Sequence, residues 1–452
     1  MLRDLFRFMC SRAMASLRAR FRPGEAVADA VPETAEACNA RGVALAEGKQ
    51  FEAALGCYRR ALELRPDSPE IHNNTGFALA ALGRHEAALE SYSRALGLRP
   101  GYVVAHLNRS ISLAELNRHE AAIACLVSAL AIDPGSTAAQ WNLGLLRLQT
   151  GDFARGWPGY ESRLEHSEFK AGRRDFAEPR WTGREPLAGR TILVHAEQGL
   201  GDTLQFCRYV ELVAARGATV LFEVQPPLKS LLSGLRGASR VLARGEPLPA
   251  FDLHCPLLSL PLAFGTVVDT VPGGVPYLLS DPARVQQWGA RLGETGCLKV
   301  GLAWSANSAS GYGRARSMGL AEFAMLLPPG AQGVSLQKDL AAGEPEFLAG
   351  RKDIVHFGTG FADTAALAAC MDVIVSVDTS IAHLAGAMGL PTWVLMSAKG
   401  DWRWLCGRED SPWYPNVRVF REPAPGDREG LLRRVRGELG ALAAGTANAL
   451  KS

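Results

Sequence analysis

The chain reads as two architectures in series, a helical solenoid followed by a pair of doubly wound α/β domains. Three observations predict this. Small and aromatic residues recur near the front at a fixed spacing of 34. Beyond about residue 185, short apolar runs alternate with helix-like stretches, as parallel strands covered on both faces do. That second pattern halts at a loop rich in proline and glycine, "TVPGGVPYLLSDP", and then restarts, so the α/β part is expected as two tandem halves.

Bulk properties bound the rest. A length of 452 residues exceeds what one core supports. The composition, 47% hydrophobic and 21% charged, is that of a folded chain. A net charge of +3 without a large basic block argues against nucleic acid as partner. Nine cysteines without a C-x-x-C pair fit a reducing compartment, and a cytoplasmic protein is expected. Residues 1–34 form a basic leader, in which Leu2, Leu5, Phe6, Met9, Ala13 and Leu17 fall at helical spacing among Arg3, Arg7, Arg12 and Arg18. Two readings stay open for residues 1–22. They could lie peripherally on an anionic inner membrane face, or they could be a leader that caps the next domain.

The repeat is explicit. Gly42, Ala54, Tyr58, Ala61 and Pro66 return as Gly76, Ala88, Tyr92, Ala95 and Pro100. A third copy keeps Ala122, Ala129 and Pro134 but has Ser110 and Leu126 for the glycine and tyrosine. A fourth starts at Gly144 and Tyr160 and decays. Small residues let two antiparallel helices approach, the aromatic fills the space between them, and proline ends the unit. The pattern resembles the tetratricopeptide repeat, with three full copies and one partial copy over 35–168. Asn74, Asn108 and Asn142 share one position of successive repeats, with Asn73 beside the first. The O-GlcNAc transferases carry a similar asparagine ladder, where the amides grip an extended peptide by its backbone. Bonding within each repeat, or a docking surface for a partner protein, are the alternatives.

In the α/β part, "TILVHA", "TVLFEV", "SRVLA" and "FDLHCP" are the strands expected of a first Rossmann-like half, 185–280. "LKVGLAWS", "GVSLQK", "DIVHF", "VIVSVD" and "PTWVLM" are those of a second, 281–452. Ligands of such sheets sit beyond the carboxyl ends of the strands. Four clusters fall there: Gly199, Gly201 and Asp202; the loop 303–317 with Arg314 and Arg316; Gln337 and Lys338; and Asp378, Thr379 and Ser380, which open a helix carrying His383. Amides at a helix start attract phosphate, and Thr379 and Ser380 add hydroxyls. Arg314 and Arg316 could neutralise a diphosphate. The competing reading is that Asp378 to Ser380 only cap the helix.

"GLGDTLQF" together with "VSVDTSIAHLAGAMGLPTWVL" resembles the heptosyltransferase-type glycosyltransferases. The repeats and "DWRWLCGREDSPWYP" narrow the resemblance to bacterial tetratricopeptide proteins with a heptosyltransferase-like domain. It implies a GT-B enzyme that takes a nucleoside-diphosphate sugar as co-substrate, is inverting, and needs neither metal nor other cofactor. The second half would bind the donor and the first would face the acceptor, with Asp202 as general base or, failing that, a simple helix cap. His254 is a substitute base or a structural histidine. Asp378, Thr379, Ser380 and His383 would meet phosphate and sugar, and Ser305 and Asn307 the diphosphate. Gln337 and Lys338 would meet the nucleotide, Phe361 would lie near the base pocket, and Arg403 would complete the phosphate cage. The repeats would present a protein acceptor or partner. The loop "WSANSASGYGRARS" lacks the acidic residue and histidine usual in the subgroup, which favours the rival reading, a non-catalytic scaffold.

Overall fold

The computed structural model describes residues 34–165, 174–293, 296–306, 313, 316–398 and 400–449. The leader residues 1–22, Asn307 and Arg314 lie outside them. The chain divides into two compact units, 1–150 with 158–167, and 151–157 with 168–452.

The first unit is a series of helical hairpins: α1 (Ala35–Glu47), α2 (Phe51–Leu64), α3 (Pro69–Ala81), α4 (His85–Leu98), α5 (Val103–Glu115), α6 (His119–Ile132) and α7 (Thr137–Gln149). Capping sets several starts. The Thr34, Ser68 and Ser136 hydroxyls accept from the amides of Ala37, Ile71 and Ala139 at 3.2, 3.4 and 3.4 Å. Within a hairpin the small residue lies flat against the aromatic. A Cβ on Gly42 or Gly76 would come within 2.4 or 2.6 Å of the Tyr58 or Tyr92 ring. The third repeat carries Ser110 and Leu126 at these two positions, both buried. The swap enlarges one partner and shrinks the other, as dense packing requires.

The turn inside each hairpin shows a further 34-residue register. Lys49, Gly83, Asn117 and Gly151 all have positive φ, at 60°, 78°, 57° and 88°. The backbone reverses there through the left-handed region, which glycine enters without cost and asparagine tolerates. Lysine has neither advantage.

The second unit holds two parallel sheets. The first contains β1 (Thr191–His195), β2 (Thr219–Val224), β3 (Arg240–Ala243) and β4 (Leu253–Pro256), in the order β3-β2-β1-β4. The second contains β5 (Lys299–Ala303), β6 (Gln332–Ser335), β7 (Ile354–His356), β8 (Val373–Val377), β9 (Thr392–Met396) and β10 (Val417–Arg421), in the order β10-β9-β8-β5-β6-β7. Val194 pairs with Phe222 on one side and Cys255 on the other, and Leu302 pairs with Ser335 and Val375. The order reverses between β1 and β4 and between β5 and β8, so each sheet has a switch point of the kind that binds ligands. Strand β10 is an addition to the strands read from the sequence. It is short, and two of its five residues are arginines, which weakens an apolar signal. Its Val419 and Phe420 are fully buried, and Phe420 shares a core with Leu431, Val435 and Leu439 of the last helix.

The stretch "GDFARGWPGYESRLE" does more than end the array. Residues 151–157 belong with the second unit, where the Trp157 indole donates to the Thr266 carbonyl at 2.7 Å. Its ring meets Trp402 and Trp413 edge-on.

Replacing Lys49 by glycine relieves the left-handed backbone strain. The Lys49→Gly variant is expected to gain roughly 1 kcal/mol, read as a higher urea midpoint for the repeat array. An unchanged or lower midpoint would count against this account of the turn.

Candidate functional site

In the second unit the site is built where two strand-ends meet. After β1 the chain turns through Gly199 into α9 (Leu200–Phe206), and after β8 it turns through Thr379 into α10 (Ser380–Ala387). These two helices pack on each other. Gly201 is the contact: a Cβ there would stand 2.8 Å from His383 Cδ2 and 3.4 Å from the Ser380 Cα. Only a residue without a side chain permits this approach.

Asp202 has two partners. One carboxylate oxygen accepts from the Gly199 amide at 2.8 Å, the half of a capping box that a glycine N-cap allows on α9. The other pairs with the Arg403 guanidinium from the second half, with both side chains mostly buried. Arg403 also donates to Asp401 at 2.9 Å and lies over the Trp402 ring, 4.4 Å from its centroid. One oxygen of Asp202 thus serves the helix start and the other reaches the second half.

Asp378 and Thr379 are turned inward. The buried Asp378 carboxylate accepts from Arg316 at 2.8 Å and from the Trp404 indole at 2.9 Å. The Thr379 hydroxyl caps α10 through the Ile381 amide at 3.1 Å and meets Ser376 at 3.1 Å. The polar atoms of these two side chains are thus engaged within the protein. Asp378 orients Arg316, and Thr379 shapes the helix start. Ser380, beside Gly201, is half-buried.

His383 is buried, stacked on Trp404 at 5.3 Å, with Nδ1 3.0 Å from the Tyr414 hydroxyl. Burial, only partly opposed by Asp378, pulls its pKa down to about 4. The imidazole is therefore neutral near pH 7 and brings no charge to a phosphate.

The remaining predicted residues spread along the second sheet. Ser305 and Gln337 brace each other, Ser305 N donating to Gln337 Oε1 at 3.3 Å and Gln337 Nε2 returning to the Ser305 carbonyl at 3.1 Å. This couples the ends of β5 and β6. Lys338 is exposed, and Phe361 begins a helix and is half-buried. His254 is not brought to the α9 turn. It sits in the body of the first sheet, 3.3 Å from the His195 ring nitrogen and against Phe176, and burial lowers its pKa.

Arg208 is the residue the sequence reading missed. It is buried after α9 and donates to the carbonyls of Gln205, Pro272 and Trp413 at 2.9, 3.0 and 2.8 Å, and to the Tyr277 hydroxyl at 2.8 Å. The rings of Tyr277 and Tyr414 lie 4.5 and 4.8 Å from its guanidinium carbon. It thereby ties both halves and their connection together. An arginine inside the apolar run "LQFCRYV" was the available signal.

The first unit offers a separate feature. Asn74 donates to Asn39 at 3.0 Å and Asn108 to Asn73 at 2.9 Å. These amides bond between repeats, with partners 35 positions apart. The residue that stands in the same relation to Asn142 is Leu107, and the buried Asn142 amide has neither a donor nor an acceptor partner among the described residues.

Family models of the tetratricopeptide repeat match residues 42–83 and 79–143. The front of the chain therefore carries tetratricopeptide repeats. Over 316 residues the chain is 28% identical to Protein FlbA of Caulobacter vibrioides, covering 64% of this chain and 52% of FlbA. The alignment is longer than residues 1–168 and so reaches into the α/β unit, and the chain spans about half the length of that relative. Among solved structures it is similar to MamA (20% identity, 36% of this chain and 88% of that one, TM-score 0.29). It is also similar to a thermophilic TPR protein of Thermus thermophilus (21%, 30% and 77%, TM-score 0.29). A third likeness is the second TPR domain of human RPAP3 in complex with an HSP70 peptide (22%, 24% and 91%, TM-score 0.24).

Two outcomes follow from this geometry. His383 is held near 4 against an ordinary 6.5, so as pH falls the unfolded chain takes up its proton first. The stability its neutral form contributes is complete above pH 6.5 and is lost toward pH 4, roughly 3 kcal/mol in all. Denaturation of wild type and His383→Gln across that range should show the steeper loss in wild type. In the repeats, Asn142→Leu removes a buried amide that has no partner among the described residues and is expected to stabilise by roughly 1 kcal/mol, read as a higher urea midpoint; a lower midpoint would mean the amide is satisfied.

Proposed function

We propose that this chain is a glycosyltransferase of the heptosyltransferase-like GT-B type, moving a sugar from a nucleoside-diphosphate sugar to an acceptor hydroxyl. The observation that carries the reading is the pairing of Asp202, past the end of β1, with Arg403 from the other half, with Arg316 held on Asp378 past the end of β8. Guanidinium forks suit a diphosphate, and a carboxylate across from them suits a general base. In the transfer, the bond between the anomeric carbon and the diphosphate oxygen breaks and its electron pair leaves with the nucleotide. The acceptor oxygen bonds to that carbon from the opposite face, and its proton passes to Asp202. Arg316, Arg403 and the amides beside Ser380 would hold the departing phosphates, with Ser305 and Gln337 shaping the donor side and no metal required. The acceptor is a protein engaged through the repeats, which are interaction modules.

The second reading is a scaffold whose transferase fold is silent. It is favoured by the internal pairing of Asp202 and Arg403 and by the close contact at Gly201. Thermal shifts against a panel of nucleoside diphosphates and their sugars separate the two. A ligand at 100 times its Kd stabilises by about 2.7 kcal/mol, and no shift with any member supports the scaffold. If a donor binds, Asp202→Asn is expected to cut transfer by about 10²-fold or more while donor binding persists. Mass spectrometry of a co-expressed acceptor reads the product.

A further inference from the structure

Among the described residues, the ion pairs of the site join three carboxylates to two guanidinium groups. Through direct contacts, Asp202 and Asp401 share Arg403, and Asp378 holds Arg316. His383 beside them is neutral. An anionic donor therefore meets a cradle whose positive groups are already engaged. Asp202 is committed at both oxygens, one to the Gly199 amide and the other to Arg403. An acceptor hydroxyl needs one of those oxygens. The Gly199 bond belongs to the start of α9 and is short-range, so the oxygen that can be released is the one on Arg403.

Resting on the donor-site reading above, we propose that Arg403 is a shared counter-ion: donor binding moves it from Asp202 to the diphosphate, and this frees Asp202 to take the acceptor's proton. The Arg403 side chain is placed for such a transfer. Its other terminal nitrogen stays on Asp401, and its carbon rests over the Trp402 ring, so one end can move while the other is held. A diphosphate carries more charge than a single carboxylate and presents several oxygens to the same planar fork, so it competes well for it. Arg316 is fixed differently, on a carboxylate that is itself buried and also bonded to Trp404. The consequence is an order: the acceptor side is inactive until the donor is in place, which suppresses proton removal without a sugar to transfer.

The test is calorimetric titration of the full-length protein with pyrophosphate, ADP, GDP, UDP and CDP. With the carboxylate charge gone, Arg403 is released, so Asp202→Asn is expected to bind the preferred probe at least threefold more tightly than wild type. Arg403→Ala is expected to bind at least tenfold more weakly, and the double variant to match Arg403→Ala, because the gain works through that arginine. Binding by wild type with equal or weaker binding by Asp202→Asn overturns the hand-over alone. No binding of any probe by any variant overturns the donor-site reading itself. Should Asp202→Asn fail to fold, a structure of wild type with the bound probe decides: Arg403 on phosphate oxygens supports the hand-over, and Arg403 still on Asp202 overturns it.

Discussion

The α/β unit depends on one close approach. Gly201 lets the helix after β1 rest against the helix after β8 with no side chain between them. Any Cβ there would push on His383, which is stacked on Trp404 and bonded to Tyr414. That approach brings Asp202 within reach of Arg403, and it closes the space in which His383 stays neutral. Arg208 reinforces the same junction from beneath, a buried cation satisfied by carbonyls, a phenol and ring faces. Removing water from such a charge is costly, and the four donated bonds and the rings offset that cost only while both halves are in place.

Charge neutralisation is the second organising feature. Arg316 is matched to Asp378, and Arg403 is shared by Asp202 and Asp401. Ion pairs of this degree of burial hold geometry well and resist the arrival of another anion.

The repeats follow a different logic, in which every unit solves the same packing problem with small substitutions. Glycine faces tyrosine in two repeats, and the third buries serine and leucine at the same two positions. The amide ladder runs on a spacing of 35 rather than 34, since each bond joins one position to its neighbour in the preceding repeat. Leucine at 107 interrupts that register, and Asn142 has no side-chain partner among the described residues.

Periodicity alone determined the helical repeats and the parallel α/β character of the rest, because a 34-residue recurrence and apolar runs between helices are local properties of the chain. The glycine turn with Asp202 and the segment after Val377 were legible as strand-end features for the same reason. Strand β10, half-hidden by its arginines, was not. Neither were the partners of the polar groups: that Asp202 meets Arg403, that Asp378 and Thr379 face inward, that His254 pairs with His195, and that Arg208 lies buried. Several of these contacts join residues far apart in sequence, about 60 positions for the two histidines and about 200 for Asp202 and Arg403. Which polar atom meets which is settled only when the two sheets pack, since burial makes each unpaired group costly and leaves one arrangement that satisfies them together.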